Sequence, residues 1–368
     1  MRIAFMHRQL AGGGTEADLR RMAEGLVARG HEVHVFCARA GEPPAGVHVR
    51  RVPVLRAGRL ARLLSVAFAA PRFVARERFD VVVGFGRTLR QDVVRVGGGT
   101  HRTYLARMEA AGQRGPWRGP YHRAILWIER RMFAGARRVL AVAACVRDEI
   151  VADYGVAAER ITVLYNGVDL ERFHPAHRAI AGARVRAELG LAPGTRLCAA
   201  VGSGFARKGF DLLLRLWEEG APPATHLVLV GDDERLALWR RRAEATAGRV
   251  TVTGRRADVE AVLAAADVLC VPSRQEAFGN VVLEACAAGV PVVTSRRVGA
   301  SELLDGALAC LVVEDPEQVP ALAAAIGRAL GPEHDALAAA ARRRAEECPW
   351  EVHLTRLEAF LAEVGGAR

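Results

Sequence analysis

The sequence predicts an α/β protein with two doubly wound domains, each built on a parallel sheet covered by helices. Short apolar runs alternate with amphipathic helical segments, and this alternation restarts after residue 170. The strand-like runs are continuously apolar, which is typical of strands buried on both faces of a sheet. A chain of 368 residues is also long for one core and fits two.

The first half opens with a strand, a glycine-rich loop, a helix and a second strand. These elements are predicted over RIAFMH, LAGGGT, EADLRRMAEGLVARG and HEVHVFCAR, and Gly30 closes the helix. Further strands are predicted over FDVVVGFG and RRVLAVA, and helices over YHRAILWIERRMFAGA and VRDEIVADYG. ITVLYNGVD ends this half, and an irregular stretch follows it. We therefore expect a first domain at 1–170 and a second at 171–349.

The second half repeats the pattern. Strands are predicted over RLCAAVG, HLVLVG, RVTVTG, DVLCVP and VPVVTS, and helices over FDLLLRLWEE, DVEAVLAAA and NVVLEACAAG. The amphipathic segment 350–368 predicts a last helix that packs back on the first domain. The two domains are expected to face each other across a cleft. Because such sheets bind ligands at the carboxyl ends of their strands, the loops that follow strands are the candidate sites.

The basic residues are concentrated in the first half of the chain. Of the formal net charge of +11, residues 1–175 carry +13, with 29 arginines against 16 acidic residues, and residues 176–368 carry −2. A basic half indicates an anionic partner such as a membrane surface, a nucleic acid or a phosphorylated substrate. A generally basic surface without such a partner is the alternative.

Composition argues against several other classes of protein. The seven cysteines lack the spacing of disulfide frameworks and of zinc sites, so neither is expected. The N-terminal apolar run is too short for a signal peptide, and no uncharged apolar run reaches the roughly 18 residues that a membrane-spanning helix needs. We therefore expect a cytoplasmic protein.

Two glycine-rich loops of the first half are candidate binding loops. AGGGTEA opens a helix after a strand, so the backbone at Gly13 and Gly14 can approach a phosphate beside free helix N–H groups. A tight turn without a ligand is the alternative. The loop lacks GxGxxG and no acid ends the second strand, which disfavours a dinucleotide site. VGGGTHRTYL places His101 where it could bond a substrate or serve only packing.

SGFARKGFD places two cations, Arg207 and Lys208, just before a helix of the second half. Cations beside free helix N–H groups make a clamp for pyrophosphate. The only lysine of the chain stands here. This favours the clamp over a solvated basic turn.

The stretch RQEAFGNVVLEACAAG holds two glutamates around a helix start. The helix is predicted to begin at Asn280 after Gly279, and the N–H groups of Asn280 and Val281 can face an anion. Glu276 precedes the helix, and Glu284 lies about 6 Å along the axis from Asn280. Carboxylates accept hydrogen bonds from vicinal hydroxyls. A nucleotide sugar fits, with pyrophosphate at the helix end, and a surface loop before an amphipathic helix is the alternative.

Taken together, these motifs resemble the family 4 retaining glycosyltransferases of the GT-B fold. The similarity rests on the two glutamates in E-x7-E, on GFARKG, on YNGVDLERF and on GGGTEA, which stand in the family's order over the whole chain. VVVGFGRTLRQDVVRVGGGTHRTYL and PSRQEAFGNVVLEA are similar to the branch that glucosylates the inner-core heptose of lipopolysaccharide. Many members have arginine where this chain has Ser203. A related branch has an acid in the second glycine loop, where this chain reads GGGTH, so that acid's acceptor role does not carry over.

The resemblance implies a role for each candidate residue. Arg207 and Lys208 would bind the diphosphate, and Glu284 the ribose hydroxyls. Glu276 would position the transferred sugar, with His101 near it. These four residues, Glu276, His101, Arg207 and Lys208, are expected to act in catalysis. The remaining donor-binding residues are expected to be Gly13 and Gly14 at the diphosphate, Arg255 at the base, and Phe278, Gly279, Asn280 and Val281 at the sugar pocket.

The implied reaction moves a hexose, glucose, from UDP-glucose to a membrane-attached anionic glycolipid, the heptose of a lipopolysaccharide core. The enzyme would retain anomeric configuration, act as a monomer and use neither a cofactor nor a metal, since no DxD motif follows a strand where a metal-dependent transferase needs one. It would contact the inner face of the cytoplasmic membrane. The segments Val52–Arg78 and Arg114–Phe133, which combine arginines with apolar residues, predict interfacial helices. Ordinary packing on the sheet is their alternative.

Other functions are weighed against this one. A family member with another lipid or polysaccharide acceptor, and a sugar-nucleotide epimerase of the same architecture, both stay open. The poor dinucleotide pattern argues against an NAD(P)-dependent oxidoreductase. The lack of RNA-binding aromatic strands and of helix-turn-helix spacing argues against a nucleic-acid partner.

Overall fold

The computed structural model describes residues 1–10, 12–55, 57–112 and 119–366. The chain forms two compact units. The first comprises Met1–Asn166 with Glu351–Arg368, and the second comprises Gly167–Trp350. The chain thus leaves the first unit inside YNGVD, four residues before the position that the sequence predicts.

A parallel sheet forms the centre of the first unit. Its strands lie in the order β3-β2-β1-β4-β5-β6-β7, so the order reverses between β1 and β4. The short strands β3 and β5 are absent from the sequence prediction. The strands are β1 (Arg2–Met6), β2 (Glu32–Cys37), β3 (His48–Arg51), β4 (Val81–Gly84), β5 (Val93–Val96), β6 (Arg138–Ala141) and β7 (Ile161–Val163).

In the described part of the first unit, five helices precede the final helix, and most of them connect successive strands of the sheet. Apolar side chains along α1, such as Leu19, Met22 and Leu26, are fully buried and cover the sheet. The helices are α1 (Gly14–Ala28), α2 (Gly58–Val74), α3 (His101–Ala110), α4 (Pro120–Gly135) and α5 (Ala144–Tyr154).

The predicted interfacial helix over Val52–Arg78 is shorter in the structure, because α2 covers only Gly58–Val74. The N–H of Val52 donates to Cys37 O over 2.9 Å, which prolongs the ladder of the sheet beyond β3. The N–H of Leu55 donates to Ser65 Oγ over 3.2 Å instead of to a helical carbonyl. Arg56, and residues 114–118 of the second predicted segment, lie outside the described residues.

The second unit repeats the architecture with six strands in the order β10-β9-β8-β11-β12-β13, all parallel. Here the order reverses between β8 and β11. The elements are α6 (Ala181–Glu188), β8 (Arg196–Val201), α7 (Phe210–Gly220), β9 (Thr225–Val230), α8 (Leu236–Glu244), β10 (Val250–Gly254), α9 (Val259–Ala265), β11 (Val268–Val271), α10 (Asn280–Ala287), β12 (Val292–Ser295), β13 (Val312–Val313), α11 (Val319–Leu330) and α12 (His334–Glu346).

The last helix, α13 (Trp350–Gly366), packs on the first unit. His31 Nε2 lies 2.7 Å from Glu358 Oε1, and His353 Nδ1 donates to Tyr165 O over 2.7 Å. The buried face of α13 consists of His353, Leu354, Leu357, Phe360, Leu361 and Val364. Within the part of the chain that the structure describes, no helix has the length and apolar character needed to cross a membrane.

Candidate active site

Two loops of the second unit leave neighbouring strands at the point where the strand order reverses. One loop joins β8 to α7 over residues 202–209, and the other joins β11 to α10 over residues 272–279. Gly209, with φ +72°, permits their close approach, since a Cβ there would lie 2.1 Å from Pro272 O. Both candidate motifs of the second half therefore meet at one place, where open α/β sheets bind ligands.

Arg207, Lys208 and Glu276 form one cluster between these loops. Lys208 Nζ lies 2.5 Å from Glu276 Oε2, and Arg207 Nη1 donates to the same oxygen over 2.7 Å. Arg207 also donates to Gln275 O over 2.9 Å. A single carboxylate oxygen thus holds both predicted diphosphate ligands.

The charges of this cluster affect one another strongly. Burial opposes ionisation of Glu276, but the nearby Lys208 and Arg207 bring the pKa of its carboxyl down to about 2. Burial lowers the pKa of Lys208, and Arg207 adds to that effect, while Glu276 and Glu284 act in the opposite direction. For Lys208 the loss of hydration outweighs the two carboxylates, so the ammonium is held in a costly environment.

The loop that carries Glu276 is fixed by its backbone. The backbone N–H of Glu276 donates to Arg297 O over 3.1 Å, and the carbonyl of Glu276 accepts from Gly299 N over 3.0 Å. Phe278 O accepts from Ala300 N over 2.8 Å. These bonds hold the loop like an added strand, so the Glu276 side chain is presented from a rigid support.

The helix α10 begins at Asn280, as the sequence predicts, and Gly279 precedes it with φ +88°. Phe278 and Val281 are buried, whereas Asn280 and Glu284 are half-buried. Glu284 is close enough to Lys208 to raise its pKa. The two glutamates of the E-x7-E motif therefore both act on the same buried ammonium.

Arg274 is a central residue that the sequence reasoning missed. It is 3% exposed and donates to Asp211 through both terminal nitrogens, over 2.7 and 2.8 Å. It also pairs with Glu317 over 2.7 Å and donates to Ala206 O. Its N–H donates to Arg207 O over 2.9 Å. Arg274 thus ties the two loops together, and its position two residues before Glu276 was the available signal.

Arg255, the residue predicted at the base, is exposed on the loop after β10. Its neighbour Arg256 has a different role, because it pairs with Asp258 and Glu188 over 2.8 and 3.0 Å. The structure therefore leaves Arg255, and not Arg256, on the surface at the carboxyl end of a strand.

In the first unit, Gly13 is the N-cap of α1 and Gly14 its first residue. The Gly13 N–H donates to Glu16 Oε2 over 2.9 Å, so this N–H is used within the protein. His7 Nε2 lies 3.3 Å from Glu16 Oε1. Burial raises the pKa of Glu16, but His7 and the backbone bonds outweigh burial and bring it to about 2.

His101 is the first residue of α3 and is buried. Its Nε2 lies 2.9 Å from His122 Nδ1, and its backbone N–H donates to Glu129 Oε2 over 3.0 Å. Burial, with the positive charge of Arg87 and with His122, lowers the pKa of His101 to about 3. The imidazole is therefore neutral at physiological pH and can exchange hydrogen bonds without carrying charge.

A cavity of about 560 Å³ lies in the first unit near these residues. Gly97, Gly98 and Gly99 of the second glycine loop line it. Arginine dominates its charged lining, which consists of Arg8, Arg59, Arg62, Arg87, Arg95, Glu16 and Glu129.

A buried polar group at the wall of this cavity was also missed by the sequence reasoning. Arg95 Nη2 donates to Asn166 Oδ1 over 2.7 Å and lies 3.3 Å from Asp18 Oδ2. Asn166 Nδ2 donates to the same oxygen of Asp18 over 2.9 Å. Asn166 is the asparagine of YNGVD, so that motif serves the interior of the first unit. An arginine within the apolar strand VVRV was the signal.

Two family profiles match the chain, one mainly in the first unit and one in the second. The profile described as Glycosyltransferase Family 4 matches residues 12–172, and the profile described as Glycosyl transferases group 1 matches residues 195–331. The chain belongs to the family 4 glycosyltransferases. The family predicted from the sequence motifs is thereby confirmed, and the protein is a glycosyltransferase.

Two proteins with assigned functions are similar to this chain. Lipopolysaccharide glucosyltransferase WaaG of Escherichia coli K12 is 28% identical over 331 residues, which are 86% of each chain. D-inositol 3-phosphate glycosyltransferase of Nocardia farcinica is 36% identical over 215 residues, which are 54% of this chain and 47% of that protein.

Solved structures support the fold. The crystal structure of WaaG, a glycosyltransferase involved in lipopolysaccharide biosynthesis, superposes with a TM-score of 0.83 at 25% identity, covering 98% of this chain and 99% of that one. Anabaena Alr3699/HepE in complex with UDP-glucose gives a TM-score of 0.76 at 20% identity, covering 99% and 100%. The predicted GT-B class, with two Rossmann-like parallel sheets, is confirmed.

Proposed function

We propose that this glycosyltransferase transfers glucose from UDP-glucose to the heptose of a lipopolysaccharide core, with retention of anomeric configuration. The observation that carries the proposal is the cluster of Arg207, Lys208 and Glu276 at the switch point of the second sheet. The similarity to a lipopolysaccharide glucosyltransferase over 86% of both chains supports the acceptor. The similar fold of a protein in complex with UDP-glucose supports the donor.

Charge stabilisation at the leaving group is the main catalytic element of the proposal. Negative charge develops on the diphosphate as the glycosidic bond to it breaks, and Arg207, Lys208 and the N–H groups at the start of α10 offer preorganised stabilisation. A diphosphate bound to the two cations shares them with Glu276. The clamp supplies this stabilisation without a metal ion or a cofactor.

Glu276 positions the transferred sugar in this proposal and does not attack it. Its carboxylate is ionised and already accepts two charge-assisted bonds, which makes it a poor nucleophile. The acceptor hydroxyl attacks from the face of the leaving group, and a phosphate oxygen of the departing diphosphate takes the hydroxyl proton. Glu284 accepts the ribose hydroxyls, Arg255 meets the base, and His101 bonds the sugar.

The acceptor side of the proposal rests on the first unit. On α2 and α4, Phe68 and Trp127 are 39% and 41% exposed, with ring centroids 6.0 Å apart. Arg131 lies over the Trp127 ring. Aromatic rings flanked by arginines suit the interface of an anionic membrane. We propose that a monomer contacts the inner face of the cytoplasmic membrane through these residues. The protein should float with anionic vesicles at low salt, and a failure to float would contradict the proposal.

The donor site is tested by binding. Lys208→Ala should weaken UDP binding at least tenfold by calorimetry, because one charge-assisted contact is lost. Arg215→Ala, which removes an exposed cation paired with Glu219 on α7, serves as the control and should not change the affinity. Equal UDP affinity in Lys208→Ala and the unaltered protein would rule out the clamp.

The role of Glu276 is tested by separating turnover from binding. Glu276→Gln should reduce kcat for radiolabel transfer from UDP-glucose to lipopolysaccharide core by about 100-fold, since the sugar is no longer positioned. UDP affinity should change far less. Glu219→Gln on the surface is the control. Equal losses of kcat and of UDP affinity would instead mean that Glu276 only supports the cations.

Another acceptor is favoured by one specific observation. The relatives named D-inositol 3-phosphate glycosyltransferase reach 36% identity over 215 residues. Transfer to D-inositol 3-phosphate but not to lipopolysaccharide core would select that function. Epimerisation of the UDP-sugar without any acceptor would select an epimerase.

A further inference from the structure

A carboxylate outside the cluster of Arg207, Lys208 and Glu276 holds the loop that carries the two cations. The sequence GDDE follows β9, and Asp233 Oδ2 in it accepts from the backbone N–H of Phe205 over 2.8 Å. Phe205 lies in the loop between β8 and α7, and β8 and β9 are neighbours in the sheet. Asp233 therefore joins the loop that follows one strand to the loop that follows the next.

The backbone around Phe205 is the anchor of the cation loop. The Gly204 N–H donates to Asp232 O over 3.1 Å, and Gly204 O accepts from the Lys208 N–H over 3.1 Å. Phe205 is fully buried, and its ring centroid lies 5.4 Å from that of Trp239. The turn that presents Lys208 is therefore attached to a fixed point at Gly204 and Phe205.

The two loops approach each other closely because glycine stands at the end of β9. Gly231 has φ +144°, and a Cβ there would lie 1.8 Å from Gly202 O. The Gly202 N–H donates to Val230 O over 2.9 Å, which extends the pairing of β8 and β9 into the loops. No side chain separates the loops at this point, so the short carboxylate of Asp233 reaches the backbone of Phe205.

The second oxygen of Asp233 has a separate role at the start of α8. Asp233 Oδ1 accepts from the Arg235 N–H over 2.9 Å and from Trp239 Nε1 over 3.0 Å. An asparagine amide has one oxygen and a donating NH2 group, so it cannot accept on both sides. With two donors on the α8 side, the amide oxygen belongs there, and the NH2 group would then face the Phe205 N–H.

We propose that Asp233 is a positioning residue for the donor site: it sets where Arg207 and Lys208 meet the diphosphate without touching the diphosphate itself. Arg274 holds the same loop from the other neighbouring strand, β11, through its N–H bond to Arg207 O. Binding groups keep their geometry only when the residues behind them are fixed. The proposal rests on the proposed transfer from a UDP-sugar.

Positioning and charge predict opposite effects of removing this carboxylate. A carboxylate near a diphosphate site repels the ligand, so the loss of its charge alone should strengthen UDP binding. The loss of positioning should weaken UDP binding, because the two cations no longer meet the ligand together. The direction of the change therefore separates the two effects.

Calorimetry of the full chain with UDP tests the proposal. Asp233→Asn should weaken UDP binding at least fivefold. Asp232→Asn is the matched control: its side chain is exposed, and the bond to Gly204 uses its backbone carbonyl. The control should bind UDP as tightly as the unaltered protein or more tightly. Unchanged or tighter UDP binding by Asp233→Asn would overturn the proposal.

The number of binding sites separates positioning from a merely structural role. A variant that is only destabilised would bind UDP at fewer sites with unchanged Kd, whereas Asp233→Asn should raise Kd with the number of sites unchanged. Trp239→Phe removes one donor to Oδ1 and leaves the bond to Phe205 in place. It should lower the melting temperature without changing UDP affinity. An equal loss of affinity in Trp239→Phe would assign the effect to α8 and overturn the proposal.

A second substitution keeps the charge and covers a failure of Asp233→Asn to fold. Asp233→Glu lengthens the side chain by one methylene group, which displaces the carboxylate from the Phe205 N–H, so UDP binding should weaken at least fivefold here too. Full affinity in Asp233→Glu would contradict the role of Asp233 alone. Failure of the unaltered protein to bind UDP would instead contradict the proposed donor, and with it this role.

Discussion

The charge of Lys208 depends on opposing effects: burial and Arg207 disfavour the ammonium, and two carboxylates favour it. Lys208 is 7% exposed, and its loss of hydration lowers its pKa despite Glu276 and Glu284. Its charge is therefore maintained by its neighbours and not by water. A bound diphosphate would add negative charge beside it and favour the ammonium further. Donor binding and the charge of Lys208 should therefore depend on each other.

This dependence predicts how UDP affinity changes with pH. The ammonium is present below its lowered pKa and is lost as pH rises through it, so UDP affinity should fall at a pH below the range of an ordinary lysine. Glu276, with a pKa of about 2, stays ionised throughout. Calorimetry at a series of pH values from 7.5 upward measures this change in UDP affinity. The terminal phosphate of UDP is already ionised throughout that range.

The matched variant for that experiment is Lys208→Arg, because arginine keeps its charge over the whole range. Its UDP affinity should be lower than that of the unaltered protein but independent of pH. A fall with pH that persists in Lys208→Arg would assign the titration to another group.

At the scale of residues, the sequence identified two loops that the structure brings together, but not every side chain that joins them. The lone lysine and the spacing of the glutamates led to Lys208, Glu276 and Glu284. Arg95 and Arg274 were missed because their roles depend on partners far away in sequence, 71 residues for the bond to Asn166 and 63 for the bond to Asp211. Spacing within one motif carries no information about such pairs.

The start of α10 depends on one glycine at the level of the helix. Gly279 has φ +88°, and a Cβ there would lie 3.0 Å from Val298 Cγ1 and 3.2 Å from Glu276 Cγ. A side chain would thus strain the backbone and also displace Glu276. Both effects act on the element that is proposed to hold the donor.

Gly279→Ala should therefore destabilise the second unit by about 1–2 kcal/mol through its backbone alone and should also reduce kcat. Gly306→Ala is a fitting control, since Gly306 has φ +55° with open space around its Cα. It should cost similar stability without loss of kcat. If both variants keep full activity, Gly279 does not position Glu276.

The packing of the two candidate loops of the second unit depends on Arg274. Arg274→Lys keeps the charge but loses the planar fork that binds Asp211 and Glu317 together, so the loops should loosen. UDP affinity should fall about tenfold, as expected for one lost bidentate pair. Arg296→Lys, in an exposed pair with Glu314, is the control for calorimetry. Unchanged affinity in Arg274→Lys would show that the loops hold without it.

At the scale of the whole chain, the alternation of apolar runs and helices predicted two parallel sheets, because buried parallel strands leave that pattern. In the first unit, β3 and β5 were not predicted. β3 lies at the sheet edge, with three of its four residues exposed, and lacks a continuous apolar run. β5 is buried but only four residues long, and it contains Arg95. The extent of the interfacial segment was also wrong, since the bonds of Val52 and Leu55 that exclude them from α2 are tertiary. Hydrophobic pattern therefore predicts long apolar strands better than exposed or short ones.

The return of α13 to the first unit makes that unit discontinuous in sequence, and its stability should depend on a helix that follows the second unit in the chain. Gly25 on α1 is the contact point: a Cβ there would lie 2.4 Å from Leu354 Cδ1. Helical Gly→Ala substitutions usually stabilise by about 1 kcal/mol. At this site Gly25→Ala should instead destabilise the first unit, because two packed helices must separate or Leu354 must leave its rotamer.

Gly25→Ala should therefore lower the melting temperature of the first unit, whereas Gly135→Ala, at the end of α4 with open space around its Cα, should leave it unchanged or raise it. Calorimetric scans with UDP identify the units, since a ligand stabilises only the unit that binds it, by about 2.7 kcal/mol at 100 times Kd. The transition that Gly25→Ala lowers should be the one that UDP does not raise. A single transition that responds to both would mean that the two units unfold together.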